Sequence, residues 1–149
     1  MARRSSAERV EHAKSRLAAD ANVWISTASP DGIPHLVPLS LAWIDGSIVV
    51  ATPSNTPTAR NARATGRARA ALDSAADVVL FDTDVSVFDI DEADQGVVDR
   101  YVARVGWDPR GESGEWVVLV LTPRRAQAWN SPAEIDGRTV VRDGVWLGD

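Results

Sequence analysis

The chain contains no cysteine among its 149 residues, which excludes disulfides, thiolate catalysis and cysteine-bound metals. It has only two histidines, His12 and His35, without the spacing of a metal motif, so we expect no metal site. No apolar run approaches the roughly 20 residues that a membrane-spanning helix needs. No apolar segment follows Arg3 and Arg4 as it would in a signal peptide. We therefore expect a cytoplasmic protein that has no membrane partner.

The common catalytic and nucleotide-binding motifs are also missing. There is no Gly-x-Ser-x-Gly elbow, no phosphate-loop lysine and no Gly-x-Gly-x-x-Gly segment after a strand. The net charge is −5, whereas broad nucleic-acid binding requires an excess of positive charge on one surface. We expect no nucleic-acid partner and a local role for the clustered arginines 60, 63, 67 and 69.

The length suits one domain with a hydrophobic core and is too short for two. We therefore predict a single domain over residues 1–149. Apolar residues make up 44% of the chain and charged residues 25%, which is typical of a globular protein rather than a disordered one.

Short strand patterns separated by turn sequences dominate the chain. Ser5 and Glu8 have capping-box spacing ahead of an apolar helical repeat. Pro30-Asp31-Gly32 and Asp45-Gly46 are turn sequences. We predict helices over 6–19, 57–65 and 92–105, and strands over 23–29, 35–43, 47–52, 68–73, 78–90, 116–121 and 127–129. Residues 134–149 fit either a final hairpin or a loose arm.

Six or seven strands joined by tight turns favour an antiparallel sheet. Closing that sheet removes the exposed edges that would otherwise pair with other chains. We predict a mostly β, α+β fold in which a small antiparallel barrel carries peripheral helices.

The segment Ala51-Thr52-Pro53-Ser54-Asn55-Thr56-Pro57-Thr58-Ala59-Arg60-Asn61 is the strongest candidate for a ligand site. Thr56 is a good N-cap and Pro57 a good first residue for a helix. A helix start offers N–H groups and partial positive charge to a phosphate. Thr58 adds a hydroxyl, and Arg60 could reach the anion with a bidentate fork. The same residues also fit a plain capped helix whose arginines form a solvated stripe.

The strand 35–43 carries Pro38 and Ser40 on the face opposite its large apolar side chains. Small or non-donating residues there would let a planar ring lie against the backbone, although an edge-strand proline explains the pattern equally well. His35 could act as an acid or base because its ordinary pKa lies near neutrality. It has no obvious carboxylate partner apart from Asp31 across the turn, so we assign no catalytic residue.

The tryptophans near the end of the chain have two interpretations. Trp116 and Trp129 could stack on a ring, but core packing or a dimer contact is the interpretation that their strand positions favour.

An ordered set of segments resembles the pyridoxamine 5′-phosphate oxidase-like flavin and deazaflavin proteins over about residues 8–148. The set is Trp24-Ile25-Ser26-Thr27, Pro30-Asp31-Gly32-x-Pro34, His35-Leu36-Val37-Pro38, Val49-Val50-Ala51-Thr52, Thr58-Ala59-Arg60-Asn61 and Arg67-Ala68-Arg69-Ala70-Ala71-Leu72. The segments 106–109 and 122–129 are similar to the actinobacterial branch, whose members are often assigned to coenzyme F-420, a deazaflavin.

The resemblance implies a split β-barrel that forms a homodimer with two cofactor sites at the subunit interface. The cofactor would be F-420 or FMN. The implied binding residues are Val37, Pro38, Leu39, Ser40, Ala51, Thr52, Thr56, Thr58, Arg60 and Asn61, with Gln127 and Trp129 approaching from the partner chain. Many relatives carry a lysine where this chain has Thr58, so we expect Arg60 or Arg63 to supply the missing charge, or affinity to be lower.

The activity that the resemblance implies is hydride transfer between the cofactor and a small conjugated substrate. The cofactor carries out the redox chemistry, which requires no catalytic side chain. Two other readings remain open: a non-catalytic binder of flavin, deazaflavin or a haem-like ligand, and a homologue with an empty site.

Overall fold

The computed structural model describes residues 2–148, so both ends of the predicted 1–149 domain, Met1 and Asp149, lie outside the described residues. The helices are α1 (Ser6–Ala19), α2 (Pro57–Thr65) and α3 (Gln95–Val105). The strands are β1 (Asn22–Ala28), β2 (Pro34–Ser40), β3 (Ala42–Ile44), β4 (Ser47–Pro53), β5 (Arg67–Leu72), β6 (Val78–Asp89), β7 (Trp116–Trp129), β8 (Thr139–Arg142) and β9 (Val145–Trp146).

Local capping signals fix the helix ends. The Ser5 hydroxyl accepts from the Glu8 N–H at 3.1 Å while the Glu8 carboxylate accepts from the Ser5 N–H, which completes the predicted capping box. Gly66 ends α2 in the left-handed region, at φ 66°. The third helix begins three residues later than predicted because the Asp94 carboxylate caps it, accepting from the N–H groups of Gly96 and Val97.

Two predicted strand boundaries are wrong. The predicted strand 35–43 is divided into β2 and β3 at Leu41, whose N–H donates to the Ala21 carbonyl at 2.9 Å. The predicted strands 116–121 and 127–129 are one strand, β7, which runs through Pro123 with a register shift opposite Asp82 and Thr83. The tail forms the β8–β9 hairpin, so the described residues hold nine strands.

All strand pairs are antiparallel, in the order β2-β1-β5-β6-β7-β4-β3, with β8 beside β7 and β9 beside β8. The strands at the two ends of this order, β2 and β3, are separated in the chain by Leu41 alone. The two edges of the sheet must therefore approach each other, which curls it towards a barrel. The predicted class is confirmed: a mostly β, α+β fold of the split-barrel type.

One face of the sheet forms the core. Ile25, Ala70, Phe81 and Ala126 are paired in a cross-strand row and are all buried. Trp146 of the tail hairpin packs with its ring 6.4 Å from that of Phe81, so the tail is not a loose arm. Within residues 2–148, no helix combines the length and the apolar character needed to cross a membrane.

Candidate functional site

A cleft of about 390 Å³ opens where β2 and β4 approach α3. This volume lies within the range of small-molecule sites, about 300–1,000 Å³. Five of the twelve predicted cofactor residues line it: Pro38, Leu39, Ser40, Ala51 and Thr52. The strand order explains this result, because the curled sheet brings β2 and β4 together although they are not hydrogen-bonded to each other.

Three aromatic side chains that the sequence did not point to as cofactor ligands complete the cleft. They are Tyr101 of α3, Trp107 of the following loop and Trp116 at the start of β7. Trp116, interpreted above as a core or dimer-contact residue, is half-buried with part of its surface towards the cleft. A tryptophan placed directly after the helix stop Gly106, in a polar loop, was the signal that could have identified Trp107.

The lining of the cleft is electrically neutral. Among the described residues, none that lines it is an aspartate, glutamate, lysine, arginine or histidine. The Tyr101 hydroxyl donates to the Ser40 carbonyl at 3.3 Å. Burial raises the pKa of Tyr101 to about 12, so its phenol is uncharged at neutral pH. Within residues 2–148, the lining of the cleft therefore offers no charged side chain to a ligand.

The start of α2 lies next to the cleft. The Thr56 hydroxyl accepts from the Ala59 N–H at 3.2 Å and donates to the Pro53 carbonyl at 3.0 Å. It also lies 3.3 Å from the Thr52 hydroxyl, which belongs to a cleft-lining residue. Thr56 thus caps the helix and connects it to the cleft, but its hydroxyl is already engaged.

Two other predicted residues of α2 face the protein interior. Thr58 is only 1% exposed, so a longer side chain there would have to displace its buried surroundings. Asn61 is also buried, and its amide donates to the Thr27 hydroxyl at 3.1 Å. Both residues contribute to packing between α2 and the barrel.

The helix start offers few free donors to an anion. Pro57 has no N–H, and the Ala59 N–H is used by Thr56. The Thr58 N–H has no hydrogen-bond partner among the described residues. An anion at this end would therefore meet one free N–H and whatever arginine can reach it.

Arg60 is the arginine available for that purpose. Its guanidinium donates to the Asn55 carbonyl at 2.6 Å, and no described carboxylate lies within ion-pair distance. Arg63 is instead paired with Asp89 at 2.8 Å, so its charge is already matched. Of the two candidates for replacing the missing lysine, only Arg60 keeps an unmatched positive charge within residues 2–148.

Gln127 and Trp129 lie far from the cleft in the same chain. Pro38, Trp24, Ala71, Leu80 and Gln127 form a directly paired row across five strands, on the outer face of the sheet. Four strand spacings of about 4.8 Å put roughly 19 Å of sheet, measured along its curve, between the ends of this row. Within one chain, these two residues cannot contact a ligand that occupies the β2–β4 cleft.

His35 and the second cleft add nothing to this site. The His35 side chain makes no hydrogen bond with another described residue and does not line the cleft. A cleft of about 450 Å³ lies over β1 and β5, but none of the predicted cofactor residues lines it. Its Arg69 is paired with Asp82 at 2.6 Å. Within residues 2–148, no cluster of three acidic or histidine side chains could hold a metal ion.

The sequence model of one protein family, described as pyridoxamine 5′-phosphate oxidase, matches residues 10–130. The match spans the cleft, α2 and all of α3 and β7. No curated protein matches the chain.

Several solved structures share the fold. A heme binding protein from Mycobacterium smegmatis has a TM-score of 0.70 and 19% identity, and the match covers 97% of this chain and 60% of that protein's chain. The haem storage protein HutZ from Vibrio cholerae has a TM-score of 0.65 and 15% identity, covering 77% and 90% respectively. An F-420 reductase has a TM-score of 0.60 and 16% identity, covering 76% and 94%. At these identities the likeness shows a shared fold.

Proposed function

Because this chain belongs to the pyridoxamine 5′-phosphate oxidase family, we propose that it binds a flavin or deazaflavin, FMN or F-420, in the β2–β4 cleft. We propose further that it transfers a hydride between this cofactor and a small conjugated substrate. The observation that carries the proposal is a neutral cleft walled by aromatic rings. It lies beside a helix start whose Arg60 has no carboxylate partner in the part of the chain that the structure describes. The F-420 reductase among the proteins of this fold supports it.

The residues present fit such a cofactor in two parts. The described residues that line the cleft carry no charge, and the side chains of Ser40 and Ala51 are small, so a planar ring can approach the β2 and β4 backbones. Arg60 and the Thr58 N–H are the groups that would hold a phosphate. A bound flavin or deazaflavin supplies the hydride chemistry, while the side chains orient the ring and exclude water.

The outer face of the sheet favours a homodimer that completes this site. Ala71 is the central residue of the row that joins Pro38 to Gln127. A two-fold axis parallel to the strands and centred over Ala71 would place Gln127 of the partner subunit opposite Pro38. Trp24 and Leu36 on this face are 36% and 59% exposed, which leaves apolar surface for a partner to cover.

A non-catalytic ligand binder is the second candidate. Thr58 stands where many relatives carry a lysine, and the helix start has one free N–H, so affinity for a phosphate-bearing cofactor rests mainly on Arg60. Two proteins of this fold bind or store haem. Among the described residues, however, no histidine, cysteine or methionine lines the cleft to ligate a haem iron. Tyr101 does line it, but its hydroxyl donates to the Ser40 carbonyl and its pKa is raised to about 12, which disfavours a phenolate ligand and favours the flavin or deazaflavin.

The test is titration of the full-length protein with FMN and with F-420, followed by cofactor fluorescence. Arg60→Ala should weaken binding by about 1.5–3 kcal/mol, the contribution of a charged hydrogen bond, or roughly 10- to 150-fold. Arg63→Ala is the matched control, because its guanidinium is paired with Asp89, and it should leave affinity nearly unchanged.

Two results would contradict the proposal. If Arg60→Ala and the natural protein bind the cofactor with equal affinity, the phosphate does not lie at the start of α2. Haem binding, measured by its absorption band, in a protein that binds neither FMN nor F-420 would establish the second candidate instead.

A further inference from the structure

Trp107 and Trp116 form an aromatic wall of the cleft, next to Pro53, which is paired with Trp116. The two rings have their centroids 5.1 Å apart and are inclined at 66°. The Trp107 indole N–H donates to the Glu112 carboxylate at 2.7 Å, and that of Trp116 donates to the Ser113 carbonyl at 3.2 Å. Both polar edges are therefore engaged by the loop, which leaves the apolar ring surfaces to face the cleft.

Arg110 fastens this loop to α3. Its guanidinium makes two contacts of 2.9 Å with the Asp108 carboxylate and lies 2.9 Å from the Asp99 carboxylate. It also donates to the Gln95 side-chain carbonyl at 3.1 Å. A wall held in this way is ordered before a ligand arrives, which lowers the entropic cost of binding. Trp107 is thus presented on a fixed support rather than on a free loop.

The chemistry of the wall defines what can bind. An aromatic face attracts a flat conjugated ring by stacking, whereas a non-planar group of the same size cannot lie against both rings. We infer that Trp107 and Trp116 are specificity-determining residues that select planar, conjugated ring systems for the cleft. This inference rests on the proposed function and deepens it, since it concerns the ring part of the ligand and not the phosphate.

The test uses riboflavin, which has the flavin ring without a phosphate, and follows quenching of riboflavin fluorescence by the full-length protein. Trp107→Ala should weaken binding by about 5- to 150-fold, the range found when an aromatic stacking partner is removed. Trp107→Phe should keep most of the affinity because it retains a flat aromatic face. Phe88→Ala, which removes an exposed ring outside the cleft, should leave affinity unchanged.

A second measurement addresses planarity. Lumichrome, which is the flat flavin ring without its ribityl chain, should displace riboflavin from the natural protein, whereas ribitol, which is the chain without the ring, should not. Thermal unfolding of each variant checks that it is folded. If Trp107→Ala does not fold, the comparison rests on Trp107→Phe and on this second measurement.

The outcomes separate this inference from the proposed function. If Arg60→Ala loses FMN affinity while Trp107→Ala binds riboflavin as tightly as the natural protein does, the proposed cofactor site is supported and the inference about Trp107 and Trp116 is overturned. Displacement of riboflavin by ribitol but not by lumichrome overturns the inference in the same way. If the natural protein binds none of riboflavin, FMN and F-420, the inference and the proposed function are both overturned.

Discussion

At the scale of single residues, charge placement decides most of the chemistry of this protein. Arg60 and Arg63 lie three positions apart on one helix, yet of the two only Arg63 has a carboxylate partner within residues 2–148. The sequence treats them as equal members of an arginine stripe. Their difference arises from Asp89, which is distant in the chain and reaches Arg63 at the end of β6.

The charge of Glu134 stabilises the fold, because its carboxylate binds Arg4 near the start of the chain. Its fully buried carboxylate accepts from the Arg4 backbone N–H at 2.8 Å and from two Arg4 guanidinium nitrogens at 2.9 and 2.8 Å. It also accepts from the Asn130 N–H at 2.9 Å. The Arg4 hydrogen bonds lower the pKa of Glu134 from 4.5 to about 2.

We expect Glu134→Gln to lower the free energy of unfolding by about 3 kcal/mol at pH 7, as when one partner of a buried ion pair is removed. Because the folded pKa lies below the unfolded one, the natural protein should lose this contribution as pH falls from about 4.5 towards about 2. Urea unfolding at pH 7 and pH 3, followed by tryptophan fluorescence, measures both effects.

Asp45→Asn is the control for that experiment. It breaks an exposed ion pair with Arg100 and should cost less than about 1 kcal/mol. An unfolding profile for Glu134→Gln that matches the natural protein at both pH values would show that the buried pair contributes nothing.

At the scale of elements, the loop between α3 and β7 does more than connect them. It carries Trp107 to the cleft and ends at Trp116, while Arg110 fixes its middle to α3. Composition alone identifies residues 107–115 as an irregular segment, because they are rich in Gly, Pro and Asp. Some of the interactions that order it lie within the loop, and those that tie it to the rest of the protein come from Gln95 and Asp99 of α3.

We expect Arg110→Ala to weaken riboflavin binding by about 2- to 10-fold, since binding must then also order a side chain such as Trp107, at a cost in conformational entropy. Arg100→Ala is the matched control, because it removes an exposed ion pair of the same helix that does not reach the loop. Titration with riboflavin measures both variants. An equal loss of riboflavin affinity in Arg100→Ala and Arg110→Ala would mean that the stability of α3, and not the attachment of the loop by Arg110, sets the affinity.

At the scale of the whole molecule, the outer face of the sheet leaves large apolar side chains exposed. Leu36, Ser26, Arg69 and Asp82 form a second directly paired row on this face, parallel to the one that joins Pro38 to Gln127. Burying this face between two copies would cover Leu36 and bring the predicted partner residues to the cleft. Obligate interfaces of this kind bury about 2,000 Å² or more.

We expect the natural protein to sediment at micromolar concentration with twice the 16.0 kDa mass of one chain. Leu36→Arg should shift it to a monomer, because a charge would be buried without a partner at the interface. Analytical ultracentrifugation measures the shift, and Ile135→Arg, at an exposed apolar residue outside this face, is the control. A natural protein that sediments only at 16.0 kDa would defeat the dimer and the interfacial site together.

The sequence alone determined the local elements and, through the family resemblance, half of the residues that line the cleft. Capping signals at Ser5 and Thr56 and the turn at Asp45-Gly46 predict the helices and a hairpin, because these interactions join residues a few positions apart. The strand alternation places Pro38 and Ser40 on one face for the same reason. The prediction of a cofactor site at β2 and β4 required the family resemblance as well.

Only the tertiary structure decided which residues surround the cleft and which are buried. Trp107 is 69 positions from Pro38 in the chain, and it reaches the cleft because α3 packs on β3 and β4. Thr58 and Asn61 turn inwards because α2 packs against β1, which no helical pattern reveals. Contacts of this range depend on how the sheet curls, and the sheet curls because Leu41 joins its two outermost strands.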